Sequence, residues 1–263
     1  MNEPLIKTEM KDRICLFTLN EPDKLNAMSE DMAEEFKYRI TELRSDPKPK
    51  VLILTGAGRA FSAGGNLKRM LERTASNVTE VRKYIIEFYT SFLSIADLPI
   101  PTIAAINGHA IGAGACLALA CDMRLAADNA VMGFTFAKIG LHPGLGAEFF
   151  LTRTVGRART FELLMTGDIL PAEEAHRIGL VNHVVPPNQL MDKTMELAKK
   201  IEAMPVFPIR MLKESIDAAT RGTLSDTIHR QAAYQAISYL SADTKEGILS
   251  MLEKRTPRFR DEY

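Results

Sequence analysis

The chain has no tryptophan, only three cysteines and no excess of either charge, with 33 Lys and Arg set against 33 Asp and Glu in 263 residues. That balance removes the overall field by which a protein collects nucleic acid or an anionic membrane surface, so neither partner is expected. Cys15, Cys116 and Cys121 are odd in number and lack metal-ligand spacing. They exclude a disulfide framework and a cysteine-based metal centre, and they read as reduced, buried thiols. No metal is expected. There is also no uninterrupted apolar run of membrane-spanning length. The most apolar stretch, Ile100 to Ala120, is broken by Pro101, Asn107, Gly108 and His109 and changes its period within itself, as a buried strand followed by a buried helix would. Met1 to Leu5 offers neither a basic nor a long apolar leader region, and a cytoplasmic location is expected.

What is present is enough hydrophobic residue, 46%, to bury a full core. Ile14–Leu19 and Val51–Thr55 are continuous apolar runs followed by turn residues, the pattern of strands covered on both faces. Between them Met28, Met32, Phe36, Ile40 and Leu43 recur at spacings of three and four, the stripe of an amphipathic helix that Ser29 or Asp31 caps. Together these segments make a βαβ unit. The alternation continues with a helix over 78–95, a strand over 102–106, a helix over 112–120 and short strands over 123–126 and 181–185. From Leu190 onward the pattern is almost wholly helical, with Pro205 and Pro208 marking a break. The expected organisation is an α/β core over residues 1–195 and a C-terminal helical oligomerisation region over 196–263, whose apolar stripes need a partner surface.

Two glycine-rich segments follow strand-like runs: Phe61-Ser62-Ala63-Gly64-Gly65-Asn66, and Ile106 to Cys116 with glycines at 108, 112 and 114. Small residues let backbone N–H groups approach a substrate carbonyl, and donors aimed at a developing oxyanion are commonly the largest catalytic contribution. The two segments therefore read as one oxyanion-binding site.

These segments recur in a recognisable order with Leu25-Asn26-Ala27-Met28, Gly140-Leu141-His142-Pro143-Gly144 and Leu163-Leu164-Met165-Thr166-Gly167. The chain resembles the crotonase superfamily, the enoyl-CoA hydratase and isomerase group, over nearly its whole length. The resemblance implies a spiral of ββα and βαβ turns forming two roughly perpendicular sheets, with a C-terminal helical region. It implies trimers or dimers of trimers, an acyl-CoA thioester substrate and no cofactor beyond the CoA of that substrate. Carried over by position, the oxyanion donors fall on the backbone N–H groups of Ala63 and Ala113. Substrate contacts fall on Lys24, Ala27, Gly64, Gly65, Asn66 and Gly144, and, from a neighbouring subunit, on Lys254 and Phe259.

One departure from the family pattern matters. Its hydratases hold and activate water with two glutamates, at positions occupied here by Cys116 and Phe136. Its isomerases use a carboxylate at the second of these, or an aspartate where this chain has Gly144. Neither a thiol nor a phenyl ring replaces a carboxylate acid/base, so hydration by the two-glutamate route is not expected. Glu148, four residues beyond Gly144 and flanked by Phe149 and Phe150, is the candidate replacement; His142 is a second. Met70, Met132, Phe134 and Phe136 suggest a pocket for a bulky apolar acyl group. The expected function is an acyl-CoA enzyme of the lyase or isomerase type working through a thioester enolate with non-standard acid/base residues. The alternative is a catalytically silent acyl-CoA-binding or RNA-binding relative.

Overall fold

The computed structural model describes residues 3–261. Strands β1 (Ile6–Lys11) and β2 (Ile14–Leu19) form an antiparallel hairpin about the turn at Asp12 and Arg13. Helix α1 (Glu30–Ser45) then carries the chain to β3 (Val51–Gly56), which lies parallel to β2 with Ile14 opposite Val51. The expected stripe holds: Met32, Phe36, Ile40 and Leu43 are the buried face of α1, and the Ser29 hydroxyl accepts the Met32 N–H at 3.2 Å as its cap. Every residue of β3 is buried, which is why it reads as an unbroken apolar run and not as an alternating one.

The rest of the core repeats one move. After β3 come β4 (Ala60–Ser62), α2 (Leu67–Arg73) and α3 (Val78–Leu93); then β5 (Thr102–Ile106), β6 (His109–Ile111) and α4 (Ala113–Leu119); then β7 (Met123–Ala127) and β8 (Val131–Gly133). Each turn gives one strand to a six-stranded sheet and the next to a four-stranded sheet. Helix α5 (Ala147–Thr166), bent at Gly156 where φ is 75°, leads to β9 (Ile169–Pro171), α6 (Ala172–Arg177) and β10 (His183–Val185). The large sheet runs β1-β2-β3-β5-β7-β10 and the small one β4-β6-β8-β9, parallel throughout except at β1–β2 and β8–β9. The spiral brings the ends of β4 and β6 together, and both glycine-rich segments leave from there.

Position 195 falls inside α7 (Leu190–Glu202), which packs Leu190, Thr194 and Ala198 into the core against the large sheet. The helices outside that packing are α8 (Val206–Ala219), α9 (Leu224–Tyr239) and α10 (Ala242–Leu252). Lys213 of α8 is fixed to the core by bonds to Asp122 at 2.7 Å and to the Ile100 carbonyl at 3.0 Å. Asp122 also accepts both the N–H and the hydroxyl of Thr102, so this carboxylate serves the architecture. Leu212, Ile216, Leu224, Ile228 and Leu240 are exposed on these helices. No helix among the described residues is long and apolar enough to cross a membrane.

Candidate active site

The first glycine-rich segment is held by the loop at residues 25–28. Leu25 and Asn26 take φ values of 54° and 53°, a left-handed pair rare for non-glycine residues. The turn buries the Asn26 side chain completely and satisfies it: its amide donates to the carbonyls of Ala57 (2.9 Å) and Ala60 (2.8 Å) while its oxygen accepts the Glu21 N–H (2.9 Å). Ser62 then donates to the Asn26 carbonyl at 2.8 Å and accepts the Gly64 N–H at 3.1 Å, and the Met28 N–H donates to the Gly64 carbonyl at 2.8 Å.

These bonds correct one expectation. The Ala63 N–H donates to the Leu25 carbonyl at 2.9 Å, so it is spent inside the protein and is not a substrate donor. The N–H that the same lacing leaves over belongs to Gly65, which among the described residues has no backbone acceptor. Across from it, Ala113 opens α4; its N–H lies in the first helical turn, where no intrahelical acceptor exists, and the Gly112 cap supplies no side chain. Gly64 joins the two. Its φ is 84°, and a Cβ there would lie 2.5 Å from the Ile111 carbonyl oxygen and 3.2 Å from the Ala113 nitrogen. Only glycine lets the two segments come this close. Gly114 serves the same approach from the other side, since a Cβ would meet Ser62 Oγ at 2.9 Å. Met70 of α2 lies against Gly65, with Cε and Sδ at 3.2 and 3.3 Å from a Cβ position there.

The side-chain half of the site differs. Cys116 is wholly buried on α4, and burial pushes its thiol far up, with Glu148 adding to the effect. It is therefore neither a thiolate nor an acid/base near neutrality. Phe136 is buried in the 3-10 turn Thr135–Ile139. Met132 and Phe134 also belong to the core, so of the four residues expected to shape an acyl pocket only Met70 is shown beside a candidate donor. Glu148 lies in the first turn of α5 with its side chain 47% exposed, its Oε1 3.5 Å from Nε2 of His142, which is 85% exposed. Both stand in water. Phe149, expected to desolvate Glu148, is itself exposed and carries the Arg153 guanidinium 3.5 Å from its ring centroid.

Sequence reasoning did not find Tyr89. It comes from α3, and its hydroxyl rests on Gly144 so closely that any Cβ at 144 would collide with it. Burial raises its pKa first, and Cys116 and Glu148 raise it further, so the phenol stays protonated near neutrality.

The expected CoA contacts are spread more widely. Lys24 is exposed and paired with Glu21 at 2.5 Å in the 3-10 turn Pro22–Lys24, while Ala27 is half-buried in the lacing loop. The Asn66 side chain caps α2 by accepting the N–H groups of Lys68 and Arg69. Lys254 and Phe259 lie beyond α10, where the Phe259 ring packs over Gly247. No described hydrogen bond or ion pair joins either to the glycine-rich segments.

Residues 9–262 match the family Enoyl-CoA hydratase/isomerase. The chain belongs to this family. A 1,2-epoxyphenylacetyl-CoA isomerase of Escherichia coli is 34% identical over 255 residues, 97% of each chain. A short-chain-enoyl-CoA hydratase of Clostridium acetobutylicum is 34% identical over 248 residues, 94% of each. Among solved structures, an enoyl-CoA hydratase from Bacillus anthracis superposes with a TM-score of 0.93 at 34% identity, covering 98% of this chain and 100% of that one. A family isomerase and a family hydratase stand at the same distance. Overall similarity therefore does not choose a reaction.

Proposed function

We propose that this protein binds an acyl-CoA thioester with its carbonyl oxygen between the N–H groups of Gly65 and Ala113, and reacts it through an enolate. The supporting observation is the pair of unspent donors on either side of Gly64, where a Cβ would come within 3.2 Å of one of them. Two fixed donors stabilise a thioester oxygen more strongly as it gains charge than in the ground state, which is the condition for catalysis. The outcome is a lyase or isomerase reaction on a CoA thioester without the two-carboxylate activation of water, because the Cys116 thiol stays protonated at neutral pH and Phe136 carries no ionisable group. Gly144 and Met70 border the acyl group, which is bulky and apolar. Lys24, Ala27 and Asn66 border the CoA moiety, which adds no other cofactor. The exposed apolar residues of α8–α10 are covered by further copies of the chain in a trimer or a dimer of trimers, through which Lys254 and Phe259 reach a neighbour's CoA.

Infrared difference spectroscopy with a carbonyl-labelled acyl-CoA tests the central claim. The bound thioester carbonyl band is expected to fall in frequency, and less so in Gly64→Ala. A bound thioester with an unshifted band removes the oxyanion site from the reading. Light scattering of the purified protein checks the assembly, with a monomer as the contrary result.

A further inference from the structure

We propose that Arg73 is a positioning residue that clamps helix α2 beside the acyl group and so sets the largest acyl group that the site accepts. The inference rests on the reading of the glycine-rich segments as a thioester site and adds what limits its substrates.

Helix α2 is weakly held for an element that borders Gly65. It has seven residues and buries none of them. A helix so short is not stable by itself in water, and with no buried apolar face its position depends on a few contacts. Among the described residues its hydrogen bonds and ion pairs stay within the helix and its ends, apart from what Arg73 makes: Asn66 caps it, Arg69 pairs with Glu72 and the Thr74 hydroxyl donates to the Leu71 carbonyl. Met70 and Arg73 are its only half-buried residues, and a spacing of three puts them on one face. Met70 lies against Gly65, and Arg73 reaches to two other helices.

On one side Arg73 pairs with Glu30, the first residue of α1. On the other its guanidinium lies over the Tyr84 ring of α3, 3.5 Å from the centroid. That ring has a firm base. It packs on Phe88 at 5.6 Å, Phe88 packs on Phe92 at 5.1 Å, and Phe92 meets Phe36 of α1 at 5.3 Å, the last three rings all buried. One side chain therefore ties α2 to the two helices beneath it, on the face that sets Met70 against Gly65. Tyr84 is also within electrostatic reach of Tyr89, whose hydroxyl rests on Gly144, so the clamp stands on the same side of the site as both residues that border the acyl group.

The Arg73 and Glu30 side chains are 23% and 37% exposed. An ion pair so exposed is weak, and a cation over one ring adds modestly, so the clamp holds and yet can yield. An acyl group that fits leaves α2 in place. A larger one must displace it, and its affinity falls by the cost of opening the clamp.

The experiment measures, by calorimetry on the full-length protein, the affinities of acetyl-, butanoyl-, octanoyl- and dodecanoyl-CoA, together with hydrogen exchange of the α2 amides. In the wild type, affinity is expected to rise with chain length and then fall. Arg73→Ala should raise the affinity of the longest thioester at least fivefold relative to acetyl-CoA, whose own affinity should change less than twofold. Its α2 amides should exchange faster while those of α1 and α3 keep their protection, which also shows that the variant is folded. Glu30→Gln, which spares the ring contact, and Arg73→Lys, which spares the charge, should fall between wild type and Arg73→Ala. Unchanged α2 exchange in Arg73→Ala overturns the clamp. Equal changes for all four thioesters, or a wild-type affinity that still rises at dodecanoyl-CoA, overturn its part in selection. Failure of the wild type to bind any of the four instead overturns the thioester reading beneath it.

Discussion

The two halves of the site are made of different material. The half proposed to hold the thioester oxygen is main chain: two N–H groups, set by Gly64 and by a loop whose left-handed turn lies at Leu25 and Asn26. The other half is side chain: the buried Cys116 thiol and the buried Phe136 ring, with the Tyr89 phenol beside Gly144. A backbone donor survives any substitution that keeps the dihedrals and the clearance, whereas a proton-transfer group is lost with a single change. Such a fold can hold on to enolate stabilisation while exchanging the reaction that makes the enolate. A short-chain-enoyl-CoA hydratase and a 1,2-epoxyphenylacetyl-CoA isomerase lie at the same 34% identity from this chain.

The largest effect is expected where the backbone half is broken directly. Gly64→Ala brings a methyl group to 2.5 Å from the Ile111 carbonyl oxygen and forces the two segments apart. Removing one oxyanion donor typically costs on the order of a hundredfold or more in rate. We expect a loss of that size in kcat with a much smaller change in acyl-CoA affinity, measured by steady-state kinetics beside calorimetry. Equal losses in both would mean that Gly64 shapes the binding surface alone.

Next comes a buried side chain that laces the backbone half. Asn26→Ala removes three hydrogen bonds and leaves the Glu21 N–H and the Ala57 carbonyl without that partner. At about 1–3 kcal/mol for each buried polar group left unsatisfied, the folded state should lose about 3 kcal/mol. Denaturant midpoints at constant slope would show it. A loss below about 1 kcal/mol would mean that water replaces the amide and that the loop does not need it.

How much of this could be read in the chain follows the same division. Strands β2, β3 and β5 and the stripe of α1 were legible because burial writes continuous or periodic apolar patterns. The strands of the small sheet were not: β4, β6, β8 and β9 have three residues each, too few to show a period. Strand β1 was hidden because only Ile6 in it is buried. The glycines announced an oxyanion site but not which N–H serves it. That depended on the Leu25 carbonyl claiming Ala63, through a left-handed turn that Leu-Asn does not advertise. Tyr89 was invisible because α3 delivers it from 55 positions away, and its only trace is the bare Gly144 that makes room for it.

A smaller effect is expected at Glu148, where the sequence pointed for an acid/base group. With its side chain 47% exposed and facing His142, it acts on the site through its charge, which helps to keep Tyr89 protonated. Glu148→Gln should therefore cost only a few-fold in rate, far less than Gly64→Ala. The measurement is the ratio of the two variants on one substrate. A larger loss in Glu148→Gln would make the carboxylate a proton-transfer group.

The smallest effect tests the division away from the site, where side chains, Asp261 with Asp243 and Glu246, hold the C-terminal tail. Asp261 is paired with Arg13 and with Lys50 at 2.9 Å, and accepts the Val206 N–H at 3.0 Å. Burial works to raise its pKa, but Lys50, the Val206 N–H and Arg13 together bring it below the ordinary aspartate value. A carboxyl depressed in the folded state stabilises it above the unfolded-state pKa, about 4, and that contribution disappears as the pH falls through the lower folded value. The tail should thus stay docked at pH 5 and loosen below about pH 4, with the Val206 amide exchanging faster as it does. In Asp261→Asn the exchange should already be faster at pH 5 and should depend less on pH. The glycine-rich segments, held by neutral backbone bonds and by Asn26, should keep their protection over the same interval. Loss of protection in both regions together would mean that acid unfolds the chain as one unit, and that the tail is not separately latched.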